Sequence, residues 1–324
     1  MFKVFSVVFL IFGTVVGSGF SSGKEIMIYF SRFGNLSYLY ITLACVLFFV
    51  LFYFFLRFGK NIVEKFENNR LINIISTIIT LVFCSSMFAG IESLFAHFSQ
   101  VFYAILVAIL LVGTIFVVKN GVSGLEKANI ILMPIASLLF LVVLVYASFS
   151  RSDSYPISNS FAGGLYALLY VALNTSISGV VVSKVGDGMT KKQTFFASLF
   201  SCLLIFVFLM FGNFVLLNNT ASFYSDMPFL TLVYENKTLF ALDFCVILVG
   251  CFTTLISLVF TLKNSFDKMI KHQNLSLLFA VFIPFLISGL GFSQIVSFLY
   301  PICSVFGILI LILYLLEGRK IYRL

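Results

Sequence analysis

Charge is scarce in this sequence: Asp, Glu, Lys and Arg make up 10% of its 324 residues, and there are two histidines. A chain so poor in charge cannot coat a soluble domain with polar surface. Catalytic signatures are missing as well. His97 and His272 form no HExxH pair, and no serine stands in a GxSxG elbow. The six cysteines, Cys45, Cys84, Cys202, Cys245, Cys251 and Cys303, fall in apolar stretches without a CxxC pair, so neither a disulfide framework nor a zinc site is expected. The string "SGFSSGKE" lacks the first glycine of a phosphate loop, has Glu25 where Ser or Thr would hold magnesium, and lies in an apolar run rather than after a strand. No enzyme chemistry and no cofactor are indicated.

What is abundant is apolar surface, 61% of residues with a mean hydropathy of +1.14. A bilayer core takes about 20 apolar residues per helix, and the chain supplies such runs repeatedly. Val101 to Val118 shows none of the strict alternation a membrane barrel needs. The expected fold is an all-α integral membrane protein, a single membrane domain over residues 1–324. Ten spans are read: Val4 to Phe30, Ser37 to Leu56, Ile72 to Phe98, Val101 to Val118, Asn129 to Phe149, Phe161 to Ser183, Thr194 to Leu217, Thr238 to Leu262, Ser276 to Leu290 and Phe292 to Leu316. The first starts behind a single cation, Lys3, lacks a clear cleavage site, and is read as uncleaved.

The net charge of +8 has a membrane explanation rather than a nucleic-acid one. With a cytoplasmic amino terminus, the outside keeps only Lys24, Arg32, Arg151 and Lys237 of the 20 basic residues. This is the positive-inside pattern, and an even number of spans puts both termini in the cytoplasm. The expected location is the cytoplasmic membrane, with lipid and a small solute as partners and no nucleic acid; oligomeric state is not legible.

Ten spans divide into halves of five, residues 1–150 and 156–324, which have opposite orientation because five is odd. The leading span of each half departs from a plain apolar run: "IFGTVVGSGFSSGKE" in the first and "YVALNTSISGVVVSKVGDG" in the sixth. Interrupted segments in corresponding positions of inverted repeats point to a midplane binding site. The first holds Gly13, Gly17, Gly19 and Gly23 among Thr14, Ser18, Ser21 and Ser22; the sixth holds Asn174, Thr175, Ser176, Ser178 and Gly179. Packing by small residues at four-residue spacing competes with this reading. The expectation is therefore that helices 1 and 6 are both broken.

In the eighth span Asp243, Gly250, Thr254, Ser257 and Thr261 share one helical face, with Thr253 beside it. The third span carries Ser85, Ser86, Ala89, Gly90, Glu92, Ser93 and His97 on a broad polar or small face expected to pack on the broken helices. Glu25, Glu92 and Asp243 lie toward the outer ends, where a gate and a structural ion pair, for example with Lys24 or Lys237, are equally open. The outer connection from Asn218 to Lys237 contains "MPFLTLVY", readable as a capping helix or as a surface loop.

The opening string "GTVVGSGFSSGKEI", followed by "YFSRFG", resembles the YkvI-like bacterial membrane proteins. More distantly, "GTVVGSGF" looks like the broken first helix of the amino acid–polyamine–organocation superfamily and of sodium symporters with the leucine-transporter fold. This resemblance implies a five-plus-five inverted repeat, a central substrate site and alternating access. It further implies a sodium ion held by carbonyls of Gly13 and Val16, the carbonyl of Gly250, and the hydroxyls of Thr253 and Thr254. Some proton-coupled relatives place a fifth-helix lysine there; the membrane part of this fifth span has none, which favours sodium as coupling ion. Phe20 stands where those symporters have an asparagine serving a second sodium, so a second site is not expected. A substrate carboxylate would be received near Gly17, Ser18, Gly19 and Phe20, with Asn174, Thr175, Ser176, Ser86 and Gly90 around the substrate. The implied function is sodium-coupled transport of an amino acid or amine-like solute; the alternative is a ligand-sensing receptor resembling spore-germination receptor subunits.

Overall fold

The computed structural model describes residues 2–67, 69–96, 99–149, 157, 159–270 and 272–322. The junction between the expected halves at residues 150–156, and His97, lie outside them. Among the described residues the regular structure is helical throughout: α1 (Phe2–Val15), α2 (Ser18–Ser21), α3 (Lys24–Tyr29), α4 (Ser37–Glu67), α5 (Arg70–Leu94), α6 (Gln100–Lys119), α7 (Gly121–Phe149), α8 (Gly163–Val185), α9 (Lys191–Leu217), α10 (Pro228–Leu232), α11 (Lys237–Asp267), α12 (Gln273–Ser288), α13 (Phe292–Gln294) and α14 (Tyr300–Tyr322), with a π-helical turn at Ile295–Leu299 joining the last two. Eight helices are long and apolar enough to cross a membrane; two shorter apolar ones, α1 and α12, occupy the first and ninth expected spans.

Helix starts follow local chemistry. The side chains of Asn69, Ser99, Thr190 and Asn236 accept from the first free backbone N–H groups of α5, α6, α9 and α11, and Thr190 with Gln193 completes a capping box. The fifth span starts earlier than its apolar run suggests: α7 begins at Gly121, so Asn129 sits two turns inside it and is fully buried.

Burial runs opposite to hydropathy. Only 17% of the apolar stretch of α6, the most hydrophobic helix, is buried, against 83% for α8, the least hydrophobic. In lipid there is no hydrophobic force drawing apolar side chains inward, so small and polar residues take the interior. The centre is built by α8 on α4 and α14, α11 on α5 and α7, and α1 on α7 and α9. Lys3 donates to the Asp187 carbonyl at 2.9 Å, Lys60 pairs with the Asp187 carboxylate at 2.6 Å, and Lys65 pairs with Glu317, which brings the start of α1 and the ends of α4, α8 and α14 to one pole.

Candidate functional site

The first span is broken twice. Helical bonding stops at Val15, Gly17 is extended (φ −97°, ψ −163°), and a single turn, α2, follows. Gly23 then takes a left-handed conformation (φ 86°), which only glycine adopts cheaply, and α3 leaves in a new direction. Such backbone at membrane depth needs protein around it, and α5, α11 and the outer loop supply it. Phe229 of α10 donates its backbone N–H to the Ser22 carbonyl at 3.0 Å, and its ring lies against Gly23, so the connection between α9 and α11 docks a short helix on the break.

At the first break Thr254 meets two of the candidate carbonyls, while the Thr253 hydroxyl bonds elsewhere. Thr254 Oγ1 donates to the carbonyls of Gly13 (2.9 Å) and Val16 (3.2 Å), 241 and 238 residues away in sequence. A side chain at Gly250 would lie 3.2 Å from the Val16 carbonyl oxygen, so α11 and the break approach closely there. Thr253 Oγ1 turns back to the carbonyls of Val249 (2.9 Å) and Gly250 (3.2 Å) and touches Met133 Sδ at 3.4 Å. The cluster is thus made of carbonyl and hydroxyl oxygens, the donor set a hard cation takes, next to the carbonyl end of α1. Among the described residues no group of three or more His, Cys, Asp or Glu could hold a metal.

The expected substrate residues divide. Ser18 Oγ donates to the Ser86 carbonyl at 3.2 Å and Ser18 Cβ lies 2.6 Å from where a Cβ on Gly90 would sit, while the Ser86 hydroxyl shares a hydrogen bond with Tyr300. These join Gly17, which packs on Met87 and Thr254, and Gly19 and Phe20, both buried. The sixth span, however, is not broken: α8 runs unbroken from Gly163 to Val185. Its polar groups turn inward upon their own helix, Asn174 to the Tyr170 carbonyl, Thr175 to Val171, Ser176 to Leu173 and Ser178 to Asn174, at 2.6 to 3.0 Å. Hydroxyls and amides that bond within the turn decorate the backbone without replacing its hydrogen bonds. Ser176 faces the close approach of Gly307 on α14.

The three acidic residues also part. Glu92 is exposed, whereas Glu25 and Asp243 are buried, and none of their four carboxylate oxygens has a hydrogen-bond partner among the described residues. The anticipated ion pairs with Lys24 or Lys237 are not made: Lys24 Nζ instead donates to the Ser225 carbonyl at 2.8 Å, and the described salt bridges lie elsewhere. The turn at Gly23 swings Glu25 back over α2, where Oε1 would lie 2.2 Å from a Cβ on Gly19. The backbone expected to receive a substrate carboxylate therefore already faces a carboxyl group.

Sequence reading missed Asn129, whose Oδ1 is buried, unpartnered and 1.9 Å from where a Cβ on Gly13 would be. Its place eight residues beyond Gly121 was the available signal, hidden because the apolar run starts after it. It also missed the buried tyrosines Tyr29, Tyr170 and Tyr300, which are indistinguishable in sequence from other aromatic residues of the spans.

The architecture defines a polytopic α-helical membrane protein with the fold of a solute transporter. The chain superposes on Mhp1, a nucleobase-cation-symport-1 family transporter solved in a closed conformation with bromovinylhydantoin bound, with a TM-score of 0.57 and 15% identity over 93% of this chain and 74% of that one. In sequence it is 24% identical over 313 residues to the uncharacterised membrane protein YkvI of Bacillus subtilis, covering 91% of this chain and 90% of that protein. No family profile matches the chain.

Proposed function

We propose that this protein is a secondary active transporter of a small organic solute, an amino acid or amine-like compound, coupled to sodium. The observation that carries this reading is the meeting of Thr254 with the Gly13 and Val16 carbonyls across the break in the first span. Gly13, Val16, Gly250, Thr253 and Thr254 would hold the sodium ion, and Thr254 would turn its proton away from the two carbonyls to offer a lone pair. When bound, the ion supplies positive charge that offsets the carbonyl end of α1 and ties α11 to the break. Without it the same contact relies on one hydroxyl proton shared between two acceptors. Ordering of that contact by sodium is how ion binding would favour one conformation over another.

Ten spans in two inverted halves fit the packing. Exchanging α1 with α8, α4 with α9, α5 with α11, α6 with α12 and α7 with α14 converts several observed helix pairs into other observed pairs, the α11–α12 and α6–α7 pairs excepted. The α4–α8 contact becomes α9–α1, α7–α11 becomes α14–α5, α1–α7 becomes α8–α14, and α5–α12 becomes α11–α6. The pole that gathers Lys3, Lys60 and Lys65 is assigned to the cytoplasm, on the side of both termini.

The test is uptake of labelled amino acids and amines into proteoliposomes with and without an inward sodium gradient, beside thermal unfolding of the purified protein in sodium and in potassium. Sodium should raise the melting temperature and drive uptake, and Thr254→Ala should remove both effects. Equal stabilisation by the two ions would refute the sodium site. Ligand binding with no uptake under any gradient would favour the receptor alternative.

A further inference from the structure

The Glu25 carboxylate is buried at 1% exposure with both oxygens unpartnered. A charge in such a setting costs several kcal/mol unless the carboxyl takes a proton or a cation joins it. Its surroundings are aromatic: Tyr29 follows one turn on along α3, and its hydroxyl meets that of Ser304, one turn beyond Tyr300 on α14, at 3.1 Å. The rings of Tyr29 and Tyr170 lie 5.2 Å apart, and Tyr300 is stacked on Phe83 at 4.5 Å. On α8, the Tyr170 hydroxyl and, one turn further along, Asn174 Oδ1 are also buried without partners among the described residues.

From this arrangement we infer that Glu25 is the anionic anchor for the alkylammonium group of the transported solute, with the Tyr29, Tyr170 and Tyr300 rings as its aromatic wall and Asn174 Oδ1 as a further acceptor. Three kinds of occupant compete. A proton on Glu25 adds one donor, which leaves most of the unpartnered acceptors as they are. Sodium seeks oxygen ligands and gains little from ring faces. An alkylammonium brings three N–H donors and a positive charge on an apolar stem, which carboxylate and aromatic faces attract, matching both halves of the site. A substrate carboxylate at this turn would meet the Glu25 charge lying over Gly19. The assignment rests on the transporter reading above and narrows its solute to one carrying a cationic amine.

The experiment measures thermal unfolding of the purified full chain, wild type and Glu25→Gln, with n-butylammonium, with uncharged n-butanol, and separately with sodium. Butylammonium should raise the wild-type melting temperature where butanol does not, and Glu25→Gln should weaken that response at least tenfold while keeping the sodium response. An unweakened butylammonium response in the variant, or equal stabilisation of the wild type by butanol, would overturn the assignment. So would a variant that loses its sodium response and keeps its ammonium one. Should Glu25→Gln not be recoverable, the wild-type contrast decides: no ammonium-specific shift refutes the anchor. Failure of the transporter reading looks different, as ammonium binding that depends on Glu25 without uptake into proteoliposomes.

Discussion

The first span and α8 have nearly the same ingredients, glycines interleaved with Ser and Thr in an apolar run, yet one is broken twice and the other is continuous. The difference lies in where the polar groups find partners. In α8 the partners are carbonyls three or four residues back, which a helix presents anyway. In the first span the decisive bonds come from elsewhere, Thr254 from α11 to Gly13 and Val16, and the Phe229 amide to Ser22. A membrane helix opens where another element claims its carbonyls, and small polar residues alone do not open it.

Gly23→Ala should break this contrast most severely. A Cβ there would stand 3.0 Å from the Phe229 ring in a left-handed conformation, and the conformation alone costs about 1–2 kcal/mol. A marked fall in melting temperature, with loss of the docked α10 in hydrogen exchange, is the expected result. Thr254→Val comes next, because it leaves two buried carbonyls without their donor, about 1–3 kcal/mol by the usual penalty; the variant should also melt at the same temperature in sodium and potassium. Thr175→Val on α8 is the matched control. Its hydroxyl serves only a carbonyl of its own helix, so the loss should stay below about 1 kcal/mol. If denaturation shows Thr175→Val to be as costly as Thr254→Val, the distinction between the two spans fails.

The smallest effect belongs to the basic pole. The hydrogen bond and charge of Lys60 hold the Asp187 carboxyl below its usual range. A lowered folded value means stability that is fully present above the unfolded carboxylate range and fades as pH falls through the folded one. Acid melting curves of wild type and Asp187→Asn should therefore converge at low pH, from a difference that is already slight because the pair is exposed.

Much of this was open to a reader of the sequence. Apolar run length and charge placement locate the helices, and the resemblance to sodium symporters points to Thr254 as a partner of the first break. The continuity of α8 was not legible, since an Asn or Ser in an apolar run is equally able to bond its own turn or a neighbour, and the neighbour is a property of the fold. Glu25 was misplaced for a related reason. A carboxylate near the end of a span ordinarily reaches water, and only the left-handed turn at Gly23 carries it back over Gly19. Asn129 was read as the edge of a span because hydropathy marks the apolar boundary, whereas α7 begins eight residues earlier.

One short helix has a bearing on the surrounding lipid. α12 has 16 residues and presents Leu275, Leu278, Phe282, Leu286 and others to the outside. At a rise of 1.5 Å per residue it is about 24 Å long, set in a hydrocarbon layer about 30 Å thick. On the ten-span reading proposed above, membrane beside it would have to thin, or the polypeptide flanking it would have to be drawn in, each at a modest cost per ångström. On that reading the molecule would carry its own preference for bilayer thickness, and acyl-chain length would become a variable of its proposed transport cycle alongside ion and solute.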